Sequence, residues 1–317
     1  MKVVFFGSPE FAVPCLEATA RNHEIALVVT QPDRPAGRGR MLTPAAVKVV
    51  AQKAGWPVFS PTKLREPAVA ERLRALEPDV FVVVAYGRIL PPALLEVPRL
   101  GPWNVHASLL PAYRGAAPIQ WAIIRGERQT GVCVMRMEEG LDTGPVADCR
   151  TLPIEEHDTA GTLSPRLAAA GADLLVAVLE DIAAGRVQTT AQDHARATLA
   201  PILRKEDGLL DLHQPARLVS AQARGVDPWP GAALRLAEET LKVFSPEVVS
   251  GQGQPGEVLG VGPGLIVACG SDAVSFRELQ FPGRRRLAAQ AALAGHPITP
   301  GTRLLSKTPP GKENGSP

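Results

Sequence analysis

Three runs of strand-forming apolar residues, at 3–6, 24–30 and 79–86, stand between segments with helical periodicity. A strand that is apolar at nearly every position has to be covered on both faces, and strands alternating with helices are covered by βαβ crossovers. The intervening segments fit that scheme. A helix is expected to run from Gly7-Ser8-Pro9, with Ser8 as its cap, to about Arg21; others lie near 45–54 and 67–76, and a weak strand at 57–60. The first part of the chain is therefore expected to be α/β, a Rossmann-like and mostly parallel sheet whose ligands bind beyond the carboxyl ends of the strands. No G-x-G-x-x-G and no Walker A sequence follows the first strand, so the topology comes without a dinucleotide signature.

One strand breaks the apolar rule. Residues 102–120 start as a short strand, then enter a turn rich in Pro and Gly. Asn104 and His106 are two residues apart, which in an extended strand sets them on the same face. Buried polar neighbours are costly unless something uses them. A strand at 131–137 then leads to Asp142 in a Gly-flanked turn, followed by a strand at 146–154 and a helix from Asp158 or Thr159 to about Ala184. By itself His106 also suits a hydrogen-bonded core histidine, and Asp142 a turn-stabilising aspartate. Together the three types suit acyl transfer to an amine. An Asn amide donates to an oxygen gaining negative charge, a His moves a proton, and an Asp orients and charges the imidazole.

Residues 32–44 hold Arg34, Arg38 and Arg40 among glycines and prolines, at the expected ligand edge of the second strand. They read either as a solvated mobile loop or as a basic arm that orders on phosphates. The balance of 34 Lys and Arg against 32 Asp and Glu excludes a strongly cationic protein, so any nucleic-acid contact has to be local. Periodicity fades over 185–208. Beyond it come one helix (214–224) and short strands at 233–236, 240–244, 257–261, 265–269 and 273–279, the texture of a small OB-like β-barrel. Basic residues gather late, as Arg284, Arg285, Arg286, Arg303, Lys307 and Lys312 against Glu313. The arginine triplet reads as a solvated helix start or as an RNA contact. The expected domains are 1–188, a linker at 189–206, 207–305, and a disordered tail at 306–317.

Four cysteines, at 15, 133, 149 and 269, have no Cys-x-x-Cys spacing, which favours reduced thiols over disulfides or a zinc site. The first apolar run is too short for a signal h-region or a membrane span. A soluble, cytoplasmic protein is expected, with no metal.

Asn-x-His-x-Ser-Leu-Leu-Pro at 104–111, Tyr-Arg-Gly-Ala-Ala-Pro-Ile at 113–119, Leu-Asp-Thr-Gly-Pro at 141–145, the Arg/Gly loop, 83–91 and Asp227-Pro228-Trp229-Pro230 occur in the order seen in one family. Over residues 1 to about 305 the chain resembles the 10-formyltetrahydrofolate-dependent formyltransferases, and within them the branch whose acceptor is methionyl-initiator-tRNA. The resemblance implies transfer of a formyl group from 10-formyltetrahydrofolate to the α-amino group of methionine on that tRNA. It implies that Asn104 and His106 hold the formyl oxygen and that Asp142 organises the imidazole and proton transfer. Ser108, Leu109, Leu110 and Pro111 match the folate-binding segment. Arg88, Ile89 and Leu90 match a stretch whose backbone lines the pterin pocket. Arg38, with Arg34 and Arg40, matches the arm that reaches the tRNA acceptor end, and the OB-like domain is expected to contact the tRNA. A monomer is expected.

Two features depart from the family pattern: Ser8 stands where Thr is usual, and Asp211-Leu212-His213 where an acidic-aromatic pair opens the second domain. Glycinamide ribonucleotide formylation would use the same three residues, but a small-molecule acceptor needs neither the arginine arm nor a second domain; in 10-formyltetrahydrofolate hydrolysis water would replace the amine. A tRNA-binding protein without chemistry would not need the intact trio.

Overall fold

The computed structural model describes residues 1–36 and 41–305. In chain order the first elements are β1 (Lys2–Gly7), α1 (Val13–Asn22), β2 (Glu24–Val29), β3 (Arg34–Ala36), β4 (Met41–Thr43), α2 (Ala46–Lys53), β5 (Val58–Phe59), α3 (Pro67–Arg74), β6 (Val80–Val84), α4 (Pro92–Leu95) and β7 (Pro102–His106). They are followed by β8 (Arg114–Gly115), α5 (Pro118–Ile124), β9 (Gln129–Arg136), β10 (Val146–Pro153), α6 (Ala160–Ala183) and β11 (Leu199–Ala200). The chain divides into two compact units, one of residues 1–118, 129–153 and 164–201, the other of 119–128, 154–163 and 202 onward.

In the first unit seven strands form one sheet in the order β10-β9-β7-β6-β1-β2-β5. From β5 to β7 every neighbouring pair is parallel, while β9 and β10 close one edge antiparallel. The order runs outward from β1 in both directions, so the chain reverses beside β1, where sheets of this type open a crevice at the carboxyl ends of the strands. On one face Val4, Phe6, Phe81 and Val83 pack with Val69 and Leu73 of α3 and with Leu94 of α4. Phe6 lies 5.0 Å from Phe81 and edge-on to Tyr86. Each such aromatic pair adds about 0.5–1.5 kcal/mol beyond its buried area. On the other face α6 comes close enough that a Cβ at Gly171 would lie 2.9 Å from Val105. A side chain there would push the helix off the sheet. α6 is long and apolar enough to cross a membrane, but Leu167, Leu175 and Leu179 along it are fully buried within the fold.

Three local expectations change. Ser8 caps no helix: its Oγ accepts from the Gln31 backbone N–H at 3.1 Å and ties the end of β1 to the end of β2. A short 3-10 turn (Glu10–Ala12), without a side-chain cap, leads into α1 instead. β6 stops at Val84, because Ala85 and Gly87 take positive φ and turn the chain out of the sheet. Cys133 and Cys149 are joined as a disulfide, against the expectation of four free thiols. They are register partners across β9 and β10, a juxtaposition that their separation along the chain does not reveal. Cys15 and Cys269 are free and buried.

The second unit adds α7 (Ala216–Gly225), β12 (Ala233–Leu236), β13 (Glu239–Val249), β14 (Val258–Val261), β15 (Leu265–Ala268), β16 (Ala273–Gln280), β17 (Leu287–Ala288) and α8 (Ala289–Gly295). The strands form an antiparallel sheet in the order β12-β13-β16-β15-β14, with β17 on β16. Residues 302–305 then bridge its two ends. Leu305 exchanges backbone hydrogen bonds with Arg235 of β12, while Thr302 and Leu304 bond Val258 and Gly256 beside and within β14. Pairing both edges with one segment turns an open sheet into a barrel-like one and hides its unpaired backbone groups. The arginine triplet starts no helix. It precedes β17, and Arg286 stacks on Phe244 at 4.1 Å and faces Asp227 at 3.5 Å. Burial pushes the Asp227 carboxyl up, and Arg286 partly offsets this.

Candidate active site

β7 is covered along its whole length, yet it presents Asn104 and His106 on one face. Asn104 is the register partner of Val83 in β6, and His106 of Cys133 in β9. The face that carries Phe81 and Val83 into the core thus carries an amide and an imidazole one strand further on. Asn104 is 8% exposed, and no hydrogen bond to its side chain is found among the described residues. A mostly buried, uncommitted amide is a ready donor for an oxygen that becomes negative.

His106 is 6% exposed, with Nε2 at 2.9 Å from the Tyr113 carbonyl oxygen. A carbonyl only accepts, so Nε2 carries the proton and Nδ1 is the edge left to gain or lose one. That edge faces Oδ2 of Asp142 at 3.6 Å. The spacing is longer than a hydrogen bond but close enough for the two groups to face each other directly. Asp142 itself sits at φ 51°, in the left-handed region that few residues besides glycine, asparagine and aspartate enter readily.

Several groups hold it. The Gly115 N–H donates to Asp142 Oδ2 at 2.8 Å, and the Gln192 amide donates to the backbone oxygens of Asp142 and Gly144 at 2.9 and 2.7 Å. Gly115 lies on β8, which pairs with β11. Its φ is 121°, and a Cβ there would come within 2.7 Å of the Ala200 oxygen, so only glycine fits. Tyr113 and Arg114, quoted from the sequence only as part of a motif and given no role, and Gln192 and Thr198, which the sequence reading did not single out, therefore complete the setting of His106 and Asp142. Residues 190–200 lack any periodic pattern, and only their burial and bonding mark them.

The remaining expected residues separate by role. Ser108 is fully buried and its Oγ donates to the Ala112 oxygen at 2.6 Å, closing the turn that contains Leu109, Leu110 and a cis bond to Pro111. Leu109 packs beside Gly131 on β9. The Leu90 side chain belongs to the core, Ile89 is 77% exposed, and Arg88 donates to the oxygens of Pro61 and Thr62. Of these three side chains, then, only that of Ile89 is largely exposed beyond the end of β6. The Arg/Gly stretch has a defined base: β3 and β4 form a hairpin, and Asp33 pairs with Lys48 of α2 at 2.7 Å. Arg34 lies on β3, while Arg38 and Arg40 lie outside the described residues. Among those residues no cluster of His, Cys, Asp and Glu could hold a metal ion.

Comparison with known proteins bears on both units. The formyl transferase family model matches residues 1–179, and the model of the formyl transferase C-terminal domain matches residues 202–297. A protein of Citrifermentans bemidjiense named methionyl-tRNA formyltransferase is 47% identical over 309 residues, 97% of this chain and 97% of its own length. One of the same name from Myxococcus xanthus is 46% identical over 303 residues, 95% of this chain and 97% of its own. Among solved structures, the N-formyltransferase of Helicobacter canadensis, in complex with folinic acid and dTDP-3-aminofucose, has a TM-score of 0.68 at 17% identity. That match covers 87% of this chain and 99% of the other, and at this identity it speaks to the fold. Matched in both parts by the family models and along nearly its whole length by curated members, the chain belongs to the formyl transferase family.

Proposed function

We infer that this protein transfers the formyl group of 10-formyltetrahydrofolate to the α-amino group of methionyl-initiator-tRNA, giving N-formylmethionyl-tRNA for translation initiation. The observation that carries the reading is the near-half identity, sustained through the second unit, to relatives named for that reaction. An enzyme whose acceptor is glycinamide ribonucleotide, a small molecule, needs no such second unit. In the division of labour read from the sequence, residues 1–188 carry catalysis and 207–305 hold the tRNA, in a soluble, cytoplasmic monomer.

The folate supplies a formyl group on its N10 nitrogen. The Asn104 amide donates to the formyl oxygen as the incoming amine adds and negative charge grows there. His106, fixed through Nε2, takes up the amine's proton at Nδ1 and from there helps hold that oxygen, with the Asp142 carboxylate stabilising the charged ring. Together they assist moving the amine's proton toward the departing nitrogen. The turn of Ser108, Leu109, Leu110 and Pro111 and the backbone of Arg88, Ile89 and Leu90 form the folate side. Arg34, Arg38 and Arg40 form the RNA side, with Arg38 reaching the acceptor end.

An acceptor assay tests this directly. With 10-formyltetrahydrofolate and charged initiator tRNA, formylmethionyl-tRNA is expected; transfer only to glycinamide ribonucleotide, or release of formate alone, would overturn it. Arg38→Ala is expected to raise the KM for tRNA with little effect on kcat at saturation.

A further inference from the structure

We propose that Gln192 is a positioning residue for formyl transfer, the group that sets Asp142 against His106. The inference rests on the roles given above to those two residues. Gln192 is 8% exposed and its amide is fully used. Both N–H bonds go to the turn that carries Asp142, at its own oxygen and at that of Gly144. Its oxygen accepts twice from Arg114, from Nε at 3.1 Å and Nη2 at 2.7 Å. An amide offers two donors and about two acceptor sites, so no bonding capacity is left over.

What it joins gives the arrangement its meaning. The residue before Arg114 supplies the carbonyl that fixes Nε2 of His106, and the residue after it supplies the N–H that fixes Oδ2 of Asp142. Arg114, 6% exposed, is completed by His194 Nδ1 at 3.1 Å. The same 113–115 backbone is held from Thr198, whose Oγ1 and carbonyl oxygen accept from the Tyr113 and Arg114 N–H groups. One buried amide therefore ties the segment that aims the imidazole to the turn that aims the carboxylate. The gap of 3.6 Å between the two is a distance that small movements of either would change.

Gln192→Glu separates this role from a merely structural one. Glutamate keeps the shape and the acceptor for Arg114 but replaces the amide that donates to the Asp142 turn. The expected result is a fall in kcat of about 10- to 100-fold, the scale on which misplaced supporting groups act. Both KM values should stay close to those of the parent, while the melting temperature falls because two buried carbonyl oxygens lose their donor.

The decisive comparison is made in an Asp142→Asn background. There Gln192→Glu should cost nothing further, since residues acting through one another are not additive. A full additional loss in that background, or an unchanged kcat in Gln192→Glu alone, would overturn the proposal. An unchanged kcat in Asp142→Asn would sink the role of Asp142 and that of Gln192 with it, whereas wild-type protein without transfer would sink the functional reading itself. Should Gln192→Glu not fold, Gln192→Asn, which withdraws the amide by one methylene, is read in the same way.

Discussion

β6 and β7 are neighbouring parallel strands of five residues, and both are buried at every position. β6 reads Val-Phe-Val-Val-Val, whereas β7 reads Pro-Trp-Asn-Val-His. Their register sets Val83 directly beside Asn104. Depth of burial is thus the same and chemistry differs. In β6 burial contributes stability, at about 25 cal/mol per Å² of apolar surface. In β7 part of that gain is given up for two polar groups that open on the carboxyl edge of the sheet. The contrast shows that strand burial alone does not distinguish scaffold from site; the polarity that survives inside does.

Substitutions can break this comparison in order of expected effect. His106→Ala should lower kcat by about 10³-fold, within the range for a lost proton-transfer group, while tRNA affinity stays nearly intact. Equal losses of binding and turnover would show that His106 shapes the tRNA site instead. Asn104→Val, which makes β7 resemble β6, should lower kcat by about 10²- to 10³-fold, as for a lost oxyanion donor. Its melting temperature should hold or rise, because an uncommitted buried amide is replaced by a side chain that needs no partner. The reverse exchange, Val83→Asn, should cost about 2 kcal/mol in denaturant unfolding, since β6 offers the new amide nothing to bond. Its kcat per folded molecule should be largely retained.

Smaller effects concern the buried thiols of the two units and the start of β6. Burial pushes the free thiols of Cys15 and Cys269 up to about 12, so neither should react with an alkylating reagent near pH 8 until the protein unfolds. Labelling of either in the native state would contradict their burial. Asp79, just before β6, accepts from the Lys2 backbone N–H at 2.7 Å and from Arg99 at 2.6 Å. These partners hold its carboxyl below the usual range, the Lys2 bond first and the Arg99 bond second. A depressed folded value means the stabilisation is present above the unfolded pKa of about 3.9 and is lost as pH falls through the folded value. Asp79→Asn should cost roughly 1 kcal/mol at neutral pH and progressively less on acidification.

Much of the site was legible because its signal is local. Asn104 and His106 conflict with the apolar pattern of their own strand, and Asp142 sits in a turn that its glycines announce. Ser8 was misread for the same reason. A Ser-Pro pair is a local cap signal, but its hydroxyl bonds Gln31 across the sheet, a contact that no window along the chain contains. The Cys133–Cys149 bond arises from the register of a hairpin, which cysteine spacing does not specify.

Sequence by itself determined the alternation of elements, the parallel sheet, the strand-rich second region and the three residues proposed for the chemistry. The elements follow from periodicity, Asn104 and His106 from residue types at odds with their strand, and Asp142 from the chemistry it completes with them and from the family resemblance. Tertiary structure alone decided how those residues are held: the fully bonded Gln192, the buried Arg114, the strand pair of β8 and β11, and the 302–305 segment that joins two sheet edges. A polar side chain in an aperiodic stretch looks solvated until the fold buries it. Once buried, its hydrogen bonds must be met by whatever distant backbone lies nearest, and only the folded chain fixes which backbone that is.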